Sequence, residues 1–181
     1  VPRHHTYELS ERITADGKIV TDLDSGVTSN LVRDILEQEK FDSVAICFLH
    51  SYLNPIHERA LSDIILALYP EMPITCSCDV ACEFREYERA STTTLAAYVQ
   101  PVVAGYINRF SEELARRGFQ GKFSIMQSNG GRMPAAAITK NAITALFSGP
   151  AAGVVGAIRG KGSTPYTDII TLDMGGTSTD V

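Results

Sequence analysis

Nine consecutive residues, Asp173-Met174-Gly175-Gly176-Thr177-Ser178-Thr179-Asp180-Val181, combine the groups that phosphate chemistry needs. Two adjacent glycines let backbone N–H groups approach an anion, because no Cβ blocks the way. Thr177, Ser178 and Thr179 add hydroxyl donors for phosphate oxygens. Asp173 and Asp180 add carboxylates suited to Mg²⁺, bound directly or through water. The segment follows an apolar β-type run, Ile169-Ile170-Thr171-Leu172. The pattern predicts a buried strand, a Gly-Gly turn and the start of a returning strand. A plain hairpin is the simpler alternative, but three hydroxyls bracketed by aspartates favour phosphate binding. The chain ends within this motif, so the expectation is a fragment of a larger nucleotide-binding protein.

Other residues with chemical potential are less specific. Ser148-Gly149-Pro150-Ala151-Ala152-Gly153-Val154-Val155-Gly156-Ala157 reads as a helix of small residues with Gly149, Gly153 and Gly156 near one face. Glycine inside a helix costs about 1 kcal/mol relative to alanine. Close approach of another backbone or a ligand would compensate; a tightly packed core helix is the alternative. Ser128-Asn129-Gly130-Gly131 follows a predicted strand, either beside a cleft or as a plain turn. His50, with Tyr52, Asn54 and His57, follows a buried strand, where site residues collect, although a structural role is the commoner one. Arg85-Glu86-Tyr87-Glu88-Arg89 reads as a solvated helix face, and Ser91-Thr92-Thr93-Thr94 as a run that could face a cleft. Cys76, Cys78 and Cys82 lack paired zinc-ligand spacing and read as free thiols of a reducing cytosol, with a zinc or redox role the alternative, and Cys47 reads as a small core residue. P-loop, nucleophile-elbow and H-E-x-x-H motifs are absent.

These groups need elements to position them. Residues 6–24 suggest a hairpin around Ala15-Asp16-Gly17, with a loop longer than two residues. A helix follows, capped by Thr28 or Ser29. The continuous apolar run 43–49 fits a strand buried on both faces. Asn54-Pro55 opens a second helix that ends before Pro70. A strand at 72–76, a long helical region from about 86 to 117 that Pro101 bends or divides, and a strand at 122–127 complete the series. Gly118 ends the long helix. Strand–helix–strand–helix–strand order argues for α/β architecture with a parallel layer. The boundary falls in 128–162, giving an N-terminal lobe at 1–140 and the start of a second lobe at 141–181. Lys161-Gly162-Ser163-Thr164-Pro165 then leads into the terminal hairpin.

Composition narrows the partners. The 181 residues are 44% hydrophobic and 20% charged, as in ordinary globular domains. A net charge of −5 argues against nucleic acid and anionic membranes. No apolar run reaches membrane-spanning length. Val1-Pro2-Arg3-His4-His5 resembles an internal boundary rather than a leader.

The chain resembles the A-subunit type of the hydantoinase/5-oxoprolinase family. The resemblance rests on 48–58 (Phe-Leu-His-Ser-Tyr-Leu-Asn-Pro-Ile-His-Glu), 85–93 (Arg-Glu-Tyr-Glu-Arg-Ala-Ser-Thr-Thr), 148–157 and 173–181. It implies a mostly parallel sheet with flanking helices, as part of an actin-like (ribonuclease H-like) ATPase fold. It also implies ATP-dependent opening of a cyclic amide such as a hydantoin or 5-oxoproline. Transfer of a phosphoryl group to the ring carbonyl oxygen would activate a poor electrophile for water. ATP and Mg²⁺ are the implied cofactors. Carried over by motif, Asp173 would hold the metal or position water, Gly175, Gly176, Thr177 and Ser178 would contact phosphates, and Gly149 would lie at the nucleotide. A B-type hydrolase subunit, an oligomer and a cytoplasmic setting are further expectations. A subunit of an ATP-dependent ketone carboxylase and a non-enzymatic actin-like module remain alternatives. The 181 residues alone are expected to be inactive.

Overall fold

A computed structural model describes residues 1–162 and 164–181. Ser163, expected in the connection to the terminal hairpin, lies outside the described residues. The chain forms two compact units, Val1–Val103 and Ala104–Val181. The element mixture is α/β, built on two-stranded sheets.

In the first unit, β1 (Arg12–Ile13) and β2 (Ile19–Thr21) form the expected antiparallel hairpin. Gly17 turns it at φ +79°, a conformation that glycine adopts freely. Helix α1 (Ser25–Gln38) starts earlier than the Thr28 or Ser29 cap anticipates. Asp24 is the cap instead, its Oδ1 accepting from Gly26 N and Val27 N, each at 2.9 Å. β3 (Val44–Ile46) and β4 (Ile74–Cys76) pair in parallel, with α2 (Ile56–Leu68) as the crossover. Asn54 Oδ1 accepts from Ile56 N at 3.3 Å, as Asn-Pro helix starts predict. The expected double-sided burial of 43–49 is not met: Ile46 is buried, but Ala45 and Leu49 are exposed. The core gathers Leu23, Val32, Ile46, Leu61, Ile65 and Cys76. On the other face of β4, Thr75 is also buried and its Oγ donates at 2.9 Å to Gln100 of the long helix that follows.

The short helix α3 (Ser77–Val80) leads to α4, one continuous helix over Glu86–Arg116 with Pro101 inside it. Proline has no N–H, so the carbonyl four residues earlier, Ala97 O, loses its helical donor. Ser43 Oγ donates to that oxygen at 2.7 Å. The break in the helix ladder therefore becomes a tie between α4 and the residue before β3.

In the second unit, Gly118 ends α4 at φ +78°. β5 (Ser124–Met126) does not join the parallel pair, contrary to the expected three-stranded layer. It pairs antiparallel with β6 (Arg132–Pro134). The cause is local. Gly130 turns the chain at φ +79°, Asn129 Oδ1 accepts from Gly131 N at 2.8 Å, and Gln127 N donates to Gly131 O at 2.9 Å. Ser128-Asn129-Gly130-Gly131 is a hairpin turn. α5 (Ala135–Ile138), α6 (Ser148–Gly160) and the terminal pair β7 (Asp173–Met174) and β8 (Thr179–Asp180) follow.

Candidate functional site

The terminal motif forms a tight antiparallel hairpin. Asp173 lies opposite Asp180 and Met174 opposite Thr179, while Gly175 N donates to Ser178 O at 3.0 Å. Gly175, Gly176, Thr177 and Ser178 are the turn between the strands. The apolar run 169–172 does not form the expected buried strand: Ile170 is 88% exposed and Leu172 64%. No β partner pairs with it among the described residues.

Like charges directly opposed across an antiparallel pair are destabilising unless a cation lies between them. The Asp173/Asp180 pair is such an arrangement. Mg²⁺ prefers one or two carboxylates together with phosphate oxygens and water, so this donor set fits it. Helix α6 runs alongside. A Cβ on Gly153 would lie 3.8 Å from Asp173 Oδ2, and the open cleft here, of about 560 Å³, is walled in part by Ser128, Phe147, Pro150, Gly153, Asp173 and Asp180. Gly149 and the turn residues 175–178 are not in its walls.

The close backbone approach anticipated for the small-residue helix is not seen. A Cβ at Gly149, Gly156 or Gly176 would meet nothing within 4 Å, and none of α6 is buried. Neither packing nor a positive φ calls for glycine at these three positions. Phe147, just before α6, holds φ +56° and lines the cleft while 81% exposed.

A second polar cluster lies where β3 and β4 end, the edge where open parallel sheets carry ligands. Its centre is a buried ion pair, Glu58 with Arg89, at 3.7 Å. Glu58 Oε1 accepts from Phe48 N at 2.9 Å, Ser51 Oγ at 2.7 Å and Ser77 Oγ at 2.5 Å, and its Oε2 accepts from Cys78 N at 3.0 Å. Arg89 donates to Phe48 O at 3.1 Å and to the hydroxyls of Ser51 and Ser77. Arg89 is 1% exposed, which corrects the expectation of a solvated face for 85–89. The signal was readable at Glu58, which shares a helical stripe with Leu61 and Ile65. Thr93, expected to face a cleft, is buried and donates to Arg89 O at 2.6 Å.

The thiols pack around this pair. Glu58, Cys76 and Cys78 place one ligand atom each within 4.8 Å of one another. Their chemistry disfavours a metal, because both oxygens of Glu58 already accept hydrogen bonds. Burial, reinforced by the Glu58 charge, pushes the Cys76 thiol up to about 11, and burial also raises Cys78. Protonated thiols are poor ligands. His50 and His57 also point into the protein. His50 Nδ1 donates to Ile13 O at 2.8 Å, and His57 is 2% exposed.

No helix among the described residues is long and apolar enough to cross a membrane. Residues 1–69 match the hydantoinase/oxoprolinase N-terminal region and residues 89–181 match hydantoinase/oxoprolinase. An uncharacterised protein of Methanocaldococcus jannaschii is 37% identical over 98% of the chain and 26% of its own length. The caprolactamase subunit alpha of Pseudomonas jessenii is 33% identical over 100% of the chain and 26% of its own length. The 5-oxoprolinase of Saccharomyces cerevisiae is 34% identical over 83% of the chain and 11% of its own length. Among solved structures, nucleotide-free acetone carboxylase superposes with TM-score 0.87 at 31% identity, covering 99% of the chain and 25% of its own. The ATP-dependent caprolactamase of Pseudomonas jessenii superposes with TM-score 0.86 at 33% identity, covering 99% and 26%. The chain therefore spans about a quarter of the length of the first of these relatives.

Proposed function

The chain belongs to the hydantoinase/oxoprolinase family, and on that footing we propose that it contributes phosphate-binding elements to an ATP-dependent hydrolase of cyclic amides. The observation that carries the reading is the terminal hairpin, with Asp173 and Asp180 opposed beside a Gly-Gly turn rich in hydroxyls. The full motif reads as the opening phosphate hairpin of the second lobe of an actin-like ATPase, with the lobes divided at 140/141.

When bound, Mg·ATP would supply a phosphoryl group to the ring carbonyl oxygen, opening the carbonyl carbon to attack by water. The residues of this chain bind and orient. Asp173, with Asp180 opposite, holds the cation or a water on it. Gly175, Gly176, Thr177 and Ser178 offer N–H and O–H donors to phosphate oxygens, where fixed donors stabilise developing charge. The missing Cβ at Gly149 leaves room beside the first turn of α6, whose N-terminus favours anions. A partner hydrolase subunit accords with the naming of the caprolactamase relative as a subunit. Ketone carboxylation is the second reading, favoured by the superposition on acetone carboxylase.

Phosphate release by the full-length protein separates them. With Mg·ATP present, caprolactam, 5-oxoproline or hydantoin should stimulate release, while acetone with bicarbonate should not. Stimulation by the ketone and bicarbonate alone would move the assignment to the carboxylases. No stimulation by any of these compounds would sink both readings.

A further inference from the structure

His57 stands in the first turn of α2, and its two ring nitrogens meet two different carboxylates. Nδ1 lies 2.7 Å from Glu11 Oε2, and Nε2 lies 3.1 Å from Asp22 Oδ1. Glu11 immediately precedes β1 and Asp22 immediately follows β2. One imidazole therefore touches both feet of the 12–21 hairpin. A carboxylate only accepts, so serving both requires an N–H on each nitrogen, which is the charged ring. The neutral ring has one N–H and can serve one foot.

The two feet are not equivalent. The Glu11 side chain is 6% exposed and has little access to water. The Asp22 side chain is 85% exposed, and its Oδ1 also accepts from Leu23 N at 3.0 Å. Giving up Asp22 returns a carboxylate to solvent, whereas giving up Glu11 would leave a buried charge without its partner.

We propose that His57 is a proton-controlled clasp on the hairpin: charged, it holds both feet on α2, and neutral, it keeps Glu11 through Nδ1–H and releases Asp22. The other docking contacts persist through the switch. Asn54 Nδ2 donates to Gly17 O at 3.0 Å, and His50 donates from Nδ1 to Ile13 O in either charge state. Other charged groups nearby are engaged or exposed. On α2, Glu58 turns into the Arg89 network, Arg59 pairs with Asp79, and Asp63 is exposed. On α1, Asp24 caps its own helix, Arg33 lies by Asn30, and Asp34 and Glu37 are exposed. In the hairpin, Asp16 pairs with Lys18 at 2.7 Å, and Arg12 is exposed. β3 and β4 bring no charged side chain. Docking is thus complete when the ring is charged and loosens when it is neutral.

Hydrogen-exchange protection factors, read from about pH 5.5 to about pH 8.5, span the range in which histidine changes charge. Nitrogen-15 shifts of the His57 ring report its protonation directly. Protection over residues 19–23 should fall several-fold across that span, as loss of an ion pair with one exposed partner gives. Protection at Arg12 and Ile13 should hold. Both ring nitrogens should be protonated at the acid end. Asp22→Ala, which removes the acceptor, should give low, pH-independent protection over 19–23; because Asp22 is exposed, this variant keeps the fold even where His57→Gln does not. A pH-flat profile in the wild type, a singly protonated ring at the acid end, or unchanged pH dependence in Asp22→Ala would each overturn the clasp.

Discussion

Arg89 belongs to a run, Arg85-Glu86-Tyr87-Glu88-Arg89, whose alternating charges suggest a surface, yet it lies 1% exposed against a fully buried Glu58. Charge alternation cannot distinguish the two cases, because the burying element is far away in sequence. What does distinguish them is Glu58 on the apolar stripe of α2. Removing one member strands the other, so Arg89→Met should cost about 3–5 kcal/mol in chemical denaturation. The double variant Glu58→Met/Arg89→Met should be less damaged than Arg89→Met alone, and equal or greater damage would contradict this reading of the pair. The thiols offer a pH-linked check. Burial keeps the Cys76 and Cys78 thiols protonated well above neutrality, whereas Cys82 is exposed. At neutral pH an alkylating reagent should label Cys82 rapidly and Cys76 and Cys78 only after unfolding, as mass spectrometry of peptides would show. The terminal aspartates and glycines were legible because their chemistry is local: carboxylate, bare backbone and hydroxyl sit within eight positions.

Elements were legible where the signal was short-range. Asp-Gly marked the first hairpin, Asn-Pro the start of α2, and Gly118 the end of α4. The Asp24 cap was missed because Thr28 and Ser29 are equally plausible caps by type, and only the position of the first helical turn decides. Pro101 was expected to bend or divide α4; it does not divide it, and the freed carbonyl is taken by Ser43. Ser43→Ala should therefore cost about 1 kcal/mol. In a Pro101→Ala background the new N–H competes for Ala97 O, and the cost should shrink markedly; an unchanged cost in that double-mutant cycle would dismiss the coupling. Gly130 tests the hairpin that diverts β5. A Cβ there would stand 2.9 Å from Val155 Cγ2, and φ is already +79°. Gly130→Ala should lower the melting temperature, with a loss above about 1 kcal/mol, whereas Gly118→Ala, with open space around it, should lose less.

At the scale of the molecule, the family was legible and the partner of β5 was not. Motifs at 48–58, 85–93, 148–157 and 173–181 carry the resemblance, and the family matches at 1–69 and 89–181 agree with it. Sheet order depends on which distant strands meet, and a strong local turn at Asn129-Gly130 outcompetes the long-range partner that strand–helix alternation suggests. The exposed run 169–172 shows the same limit, since apolar residues argue for burial without saying what buries them. The proposal turns on whether the opposed aspartates of the terminal hairpin serve bound nucleotide. Calorimetry of Mg·ATP binding to the full-length protein, wild type against Asp173→Asn, addresses this most directly. Binding in the wild type, weakened at least about tenfold in Asp173→Asn, is expected for loss of a carboxylate that supports the cation. Equal affinity in the two proteins, or no binding in the wild type, would make the hairpin structural and contradict the nucleotide role.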